Sequence, residues 1–248
     1  MNTIYVLWIR QLKRYIRSRS RIIGSLGQPL LFLVAMGFGF GPIFRKAGAG
    51  NYIDFLVPGI IAQSILFTAI FSGIELIWDR QFGFLKETLV APVSRFEIMI
   101  GRTLGGATIA FVQGLIVFIL TLFIGFRPHN LNYFPLFLLI MFLIALLFTA
   151  LGTAIASTLE DFQGFQLIMN FLVMPLFFLS GALFPLDGLP KIMEVITHYN
   201  PLTYGVDGLR ATLIQSTHFG ISADIAILTC LTALILAIGS YLFSKIQI

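Results

Sequence analysis

IIGSLGQPLLFLVAMGFGFGPIF, residues Ile22–Phe44, lies between Arg21 and Arg45 and carries no charge in 23 residues. As a helix it extends about 34 Å, against a bilayer hydrocarbon core of about 30 Å. The solvent of this stretch is therefore lipid. Gln28-Pro29 near its start predicts a bend, or the point where an interfacial helix turns into the membrane. Five further apolar runs follow: Phe55–Trp78, Thr103–Phe126, Tyr133–Leu159, Phe162–Phe184 and Ile225–Phe243. The expected fold is an all-α polytopic membrane protein with six transmembrane helices. Residues 1–21 are expected to form an amphipathic interfacial helix and residues 22–248 a single six-span domain.

Composition agrees. The chain is 58% hydrophobic and 11% charged, where a soluble domain carries roughly a quarter charged side chains. The net charge of +5 raises the question of nucleic acid, but the basic residues cluster at the ends of the apolar runs. That distribution fits membrane orientation and excludes nucleic acid as the expected partner. Cys230 stands alone, so neither an internal disulfide nor a cysteine metal site is available. The first 21 residues spread Arg10, Lys13, Arg14, Arg17, Arg19 and Arg21 along their length, with no compact apolar core and cleavage site of a secretory signal.

Orientation follows from Lys and Arg. With both termini in the cytoplasm, that side receives the six basic residues just named, then Arg80, Lys86, Arg95, Arg102 and Lys245. The outside receives Arg45, Lys46, Arg127, Lys191 and Arg210. Eleven against five predicts cytoplasmic termini in a multi-pass protein of the cell membrane. In the first segment Ile4, Trp8, Leu12 and Ile16 recur every four residues, with basic residues around the rest of the circumference. These arginines are expected to face anionic lipid headgroups or to set topology. Glu75, in the last turn of the second span, is placed close enough to the interface to reach water.

Residues 79–102 form the charged interruption. Pro92 ends a preceding helix. Ser94 caps a new one with Glu97 three residues on, the Ser-x-x-Glu capping box. The expected result is a short helix–turn–helix on the cytoplasmic face. Phe82, Phe84, Leu89, Val93 and Phe96 alternate there with charged residues. So many apolar side chains suit a docking surface, or fold back onto headgroups. On the opposite side residues 185–222 separate the fifth and sixth spans: Pro185-Leu186-Asp187-Gly188-Leu189-Pro190, an amphipathic stretch Lys191–His198, then Leu202–Ile214. In the last, Leu202, Val206, Leu209 and Leu213 share one side and Asp207 and Arg210 the other. These helices are expected to lie at or dip into the outer leaflet.

The motifs carry a resemblance. Glu87-Thr88-Leu89, then Ala91-Pro92-Val93-Ser94-Arg95-Phe96-Glu97 and Gly101-Arg102, resembles the coupling-helix region of type-2 ABC transporter permeases, with Ala91 where that family commonly has Thr. Asn200-Pro201-Leu202-Thr203-Tyr204, with Arg210 following, resembles the family's second motif. Daunorubicin-type multidrug-resistance exporter permeases look most similar, with nodulation-factor and polysaccharide exporters as relatives.

The resemblance implies the permease subunit of an ATP-driven exporter of a hydrophobic or amphipathic compound, pairing with a second copy and with two ATP-binding subunits. Glu87, Pro92, Val93, Ser94, Arg95, Phe96 and Glu97 would then couple it to the ATPase, and Pro201, Leu202, Thr203, Tyr204 and Arg210 would form the outer-leaflet motif. The chain holds no Gly-x-x-x-x-Gly-Lys-Ser/Thr, so it is expected to bind no cofactor itself, ATP and Mg residing on the partner. Nor does it hold His-Glu-x-x-His or Gly-x-Ser-x-Gly, so no enzyme activity or metal site is expected. Phe38, Phe67, Phe71, Phe171 and Phe177 are candidates for a substrate path or for ordinary packing. An ATP-independent channel or ion-coupled carrier is the alternative, and would call for intramembrane carboxylates.

Overall fold

The computed structural model describes residues 3–46, 51–186, 188 and 190–245, and of Arg45 only the backbone. Asp187, Leu189 and the Arg45 side chain, all invoked above, lie outside the described residues. Among the described residues eleven α-helices run in order α1 Thr3–Arg17, α2 Arg19–Lys46, α3 Tyr52–Phe71, α4 Ile74–Gln81, α5 Phe84–Val90, α6 Arg95–Ile124, α7 Phe134–Thr158, α8 Phe162–Phe178, α9 Lys191–Tyr199, α10 Pro201–Ile214 and α11 Ile221–Ser244. The described residues contain no strand.

Among the described residues five stretches are long and apolar enough to cross a membrane: Arg19–Phe44, Tyr52–Gln81, Arg95–Ile124, Leu131–Thr158 and Ile221–Ser244. They match the first four expected spans and the last. The remaining one, α8, has 17 residues, about 25 Å of helix, and is shorter than expected. It stops at Phe178, three residues past Pro175, and Gly181 takes a left-handed φ of 72°. The residues expected to complete that span, Ser180–Leu183, instead form a buried turn. Its carbonyls are used: the Tyr52 hydroxyl donates to Leu183 O and the Arg210 guanidinium to Gly181 O.

α3 is the centre of the bundle, packed on α2, α6, α7 and α10, while α11 closes over α7, α10 and α6. Residues Leu56–Leu66 of α3 are buried without interruption. Close approach is built in where α3 meets the turn after α8: a Cβ on Gly59 would lie 2.5 Å from Ala182 O, so only glycine fits there.

Two local expectations are displaced. The chain turns between α1 and α2 at Ser18, and α2 then continues through both Pro29 and Pro42, so Gln28-Pro29 is not the entry corner. α1 also presents a different face. Its buried residues are Leu7, Gln11 and Tyr15, whereas Ile16 is exposed. The cause lies on α6. A Cβ on Gly101 would meet Leu7 Cβ at 3.0 Å, and one on Gly105 would meet Gln11 Cβ at 2.9 Å. This Gly-x-x-x-Gly groove seats α1 along the line Leu7–Gln11. Trp8 Nε1 donates to Thr108 Oγ1 at 3.0 Å and the Tyr15 hydroxyl to Gln113 Oε1 at 2.6 Å.

α10 departs furthest. The apolar side Leu202, Val206, Leu209, Leu213 is buried, and so are Asp207 and Arg210 opposite it. A 14-residue helix spans about 21 Å, and this one is enclosed by α3, α7 and α11. Gly205 and Gly208 lie against Ile144 and Ile140 of α7. By contrast α9 exposes Ile192, Met193, Val195, Ile196 and Tyr199.

Candidate functional site: a charge-pinned helical knob

The segment between α4 and α6 begins where α4 ends at Gln81 and Gly83 adopts a left-handed φ of 82°. That reversal, which favours glycine, launches α5. Thr88 Oγ1 donates to Phe84 O within α5, and the helix ends at Val90, two residues before Pro92. Val93 N donates to Ala91 O in the turn. Ser94 Oγ then accepts from Glu97 N at 3.1 Å, and Glu97 Oε2 accepts from Ser94 N at 3.3 Å, closing the capping box read from the sequence. The helix so capped is not short. It is α6 itself, running without a break to Ile124, so the turn and the following span are one rigid piece.

The knob presents Phe82, Phe84, Val90 and Phe96 outward, each more than half exposed, with Glu87, Pro92 and Ser94 beside them. Leu85 is buried and anchors α5, while Leu89 and Val93 pack half-buried on the core. Arg95 and Glu97 are half-buried at the start of α6.

A charge cluster closes the base of the knob. Asp79 and Arg102, the two ends of the segment, form a bridge of 2.6 Å between side chains that are each 4% exposed. Asp79 also accepts from Arg10 at 3.0 Å and Arg14 at 3.4 Å. One turn earlier on α4, Glu75 pairs with Arg21 at 2.5 Å and approaches Arg14 at 4.0 Å. Glu75 is 3% exposed, so the expectation that it reaches water is corrected: it is sealed beneath Arg21. Likewise Arg10, Arg14 and Arg21 turn toward these carboxylates. The space inside the cluster is about 10 Å³, room for no more than one water.

Four guanidiniums from α1, α2 and α6 thus converge on two carboxylates of α4. Burying carboxylates in this way is offset by close pairing geometry and by several hydrogen bonds from the guanidiniums. Arg80 adds a link outward, donating to Glu160 Oε1 at 2.8 Å and to Leu159 O at 3.3 Å, the turn joining α7 to α8. Sequence reasoning missed this cluster. The available signal was Glu75 and Asp79, four apart on one helix face, mirrored by Arg10 and Arg14 at the same spacing.

The second motif does structural work around α10. Asn200 caps that helix, its Oδ1 accepting from Leu202 N at 3.0 Å, while its Nδ2 donates to Leu176 O of α8 at 2.7 Å. Pro201 occupies the first helical turn, Leu202 and Thr203 are fully buried, and the Tyr204 hydroxyl donates to His198 O. Arg210 lies 4.1 Å above the Phe55 ring while donating to Gly181 O at 2.9 Å. Asp207 accepts from Thr217 Oγ1 and from the backbone N–H groups of His218 and Phe219.

The candidate path phenylalanines are not gathered. Phe67 and Phe71 stack at 6.2 Å on α3. Phe177 is buried edge-on to Phe32, and Phe38 and Phe171 are exposed.

Comparison with known proteins gives these features a context. The family described as ABC-2 type transporter matches residues 2–214. The chain is 32% identical over 219 residues to the putative transport permease ycf38 of Cyanophora paradoxa, covering 84% of this chain and 72% of that one. It is 26% identical to nodulation protein J of Rhizobium leguminosarum bv. viciae, over 84% and 80% of the two chains. It is likewise 26% identical to the inner membrane transport permease YadH of Escherichia coli K12, over 82% and 80%. From the match across both the knob and α10, this chain is a member of the ABC-2 type transporter family.

Proposed function

We propose that this chain is the membrane subunit of an ATP-driven exporter, crossing the cell membrane six times with both termini in the cytoplasm. It works as a pair of copies above two separate ATP-binding subunits. Membership of an ABC-2 permease family implies association with such a subunit. The observation that carries the reading is the knob: exposed Phe82, Phe84, Val90 and Phe96 on a base fixed by the Asp79–Arg102 bridge. Exposed aromatics on a rigid mount suit a protein cleft, because the backbone that carries them is fixed before docking.

Closure of the ATPase pair displaces the knobs. Since Asp79 and Arg102 join its two ends, α4 and α6 move as one body. α1, seated in the Gly101–Gly105 groove, moves with α6. Two packings of the spans are then favoured in turn by the two states of the partner. The apolar spans fit a hydrophobic or amphipathic cargo drawn from the cytoplasm or inner leaflet, which the drug-exporter resemblance also implies.

The test is coexpression with the ATPase encoded nearest to this chain. Capture of that ATPase is expected, with Glu87→Arg and Phe96→Ala reducing substrate-stimulated ATP hydrolysis at least about tenfold if these residues sit at a hot spot. Undiminished stimulation in the Glu87→Arg, Phe96→Ala double variant overturns the docking assignment.

A further inference from the structure

A cavity of about 390 Å³ lies between α2 and α3, within the size range of small-molecule sites. Exposed Gly24 and Gln28 of α2 form its rim, and Gln63 and Ser64 of α3, each 1% exposed, form its floor. Phe67 and Phe71, stacked at 24° between ring planes, supply an apolar wall. Among the described residues, Gln63 Oε1, Gln63 Nε2 and Ser64 Oγ have no hydrogen-bond partner. A buried amide without partners is costly, and here that amide and a hydroxyl belong to adjacent residues that line one cavity.

Three other polar groups of the wall are occupied. Arg21 is paired with Glu75, the Tyr15 hydroxyl donates to Gln113, and Ser25 Oγ donates to Ile22 O. The cationic side chain at the cavity is thus neutralised, which disfavours an anionic headgroup and favours a neutral polar one.

We propose that this cavity is a binding site for a small neutral amphiphile. Its ring-bearing apolar body lies on Phe67 and Phe71, and its hydroxyl or amide bonds Gln63 and Ser64. As the entry site for cargo it rests on the export reading; as a ligand site it stands without that reading.

The test uses the full chain, with its ATPase, in phosphatidylcholine nanodiscs. Two fluorescent probes of equal shape are titrated, 2-naphthol and 2-methylnaphthalene, with empty nanodiscs as the partition blank. Gln63→Leu is expected to weaken 2-naphthol about tenfold while changing 2-methylnaphthalene less than about threefold. Ser64→Ala is expected to weaken 2-naphthol about threefold. Gln63→Leu removes only unpartnered atoms, so its thermal midpoint is expected to hold, and Ser64→Ala is a second, smaller change should it not. Equal effects on both probes, no effect on either, or no uptake beyond the blank overturn the site and leave water as its occupant. If probe binding fails while the ATPase is still captured and stimulated, the cavity assignment alone falls. If selective binding holds while no ATPase is captured, the site survives and the export reading falls.

Discussion

Removing the carboxylate of Asp79 is expected to harm this protein more than removing the guanidinium that bridges it. Asp79 and Arg102 are each 4% exposed and 2.6 Å apart, yet their surroundings are unequal. Asp79 has two further arginine partners, Arg10 at 3.0 Å and Arg14 at 3.4 Å, whose side chains are 39% and 40% exposed. The Arg102 Nε has no partner among the described residues. Asp79→Asn keeps the volume but leaves the Arg102 charge buried without its anion, a loss of about 3–5 kcal/mol. Arg102→Met leaves Asp79 paired to arginines that water reaches, and forfeits about 1.5–3 kcal/mol, the worth of one hydrogen bond to a charge. The double variant holds no orphaned charge in the interior. It is expected to be more stable than Asp79→Asn alone by about 1–3 kcal/mol. Equilibrium unfolding in mixed micelles, followed by Trp8 and Trp78 fluorescence, measures all three. Equal losses in the two single variants, or strictly additive losses in the double, refute the account of the cluster.

Other outcomes follow from the same geometry. Gly105→Leu forces side-chain atoms into Gln11, where even a Cβ would lie 2.9 Å from the Gln11 Cβ, and is expected to destabilise by about 1–3 kcal/mol. Lifting α1 exposes Trp8, so its emission in a Trp78→Phe background shifts to the red; an unmoved spectrum contradicts the groove. Ser94→Ala removes the cap of α6 and is expected to lose about 0.5–2 kcal/mol in the same unfolding titration, with Ser94→Asp retaining most of it. Asp224 is fully buried and neither carboxylate oxygen has a partner among the described residues. Asp224→Asn is accordingly expected to raise the thermal midpoint, and a fall would reveal a counter-charge at that carboxylate.

The apolar runs and the Ser94–Glu97 box were legible because each is set by neighbours along the chain: length without charge in one case, a three-residue spacing in the other. Positions fixed by remote partners were not. The inward line Leu7, Gln11, Tyr15 on α1 depends on glycines of α6 some 90 residues away, and periodicity favours Ile4, Trp8, Leu12 and Ile16 instead. Glu75 reads as a carboxylate near water because its counter-ion, Arg21, belongs to another helix. The burial of Asp207 and Arg210 has the same origin. Their partners are largely backbone groups at Gly181, His218 and Phe219, joined by the Thr217 hydroxyl and the Phe55 ring, and periodicity along α10 announces none of them. The shortened α8 was foreshadowed by Pro175 and Gly181, yet apolar composition continues to Phe184 and conceals the stop.

The enclosure of α10 constrains how this protein is made. Its polar side carries Asp207 and Arg210, both buried, and one of its walls, α11, leaves the ribosome only after α10 itself. Until that wall arrives, the flank of α10 that packs on α11 is left uncovered, while Arg210 and Asp207 already have their partners at Gly181, Phe55 and residues 217–219 within reach. The polar flank of this buried helix is therefore fully enclosed only once the last helix of the bundle has been made.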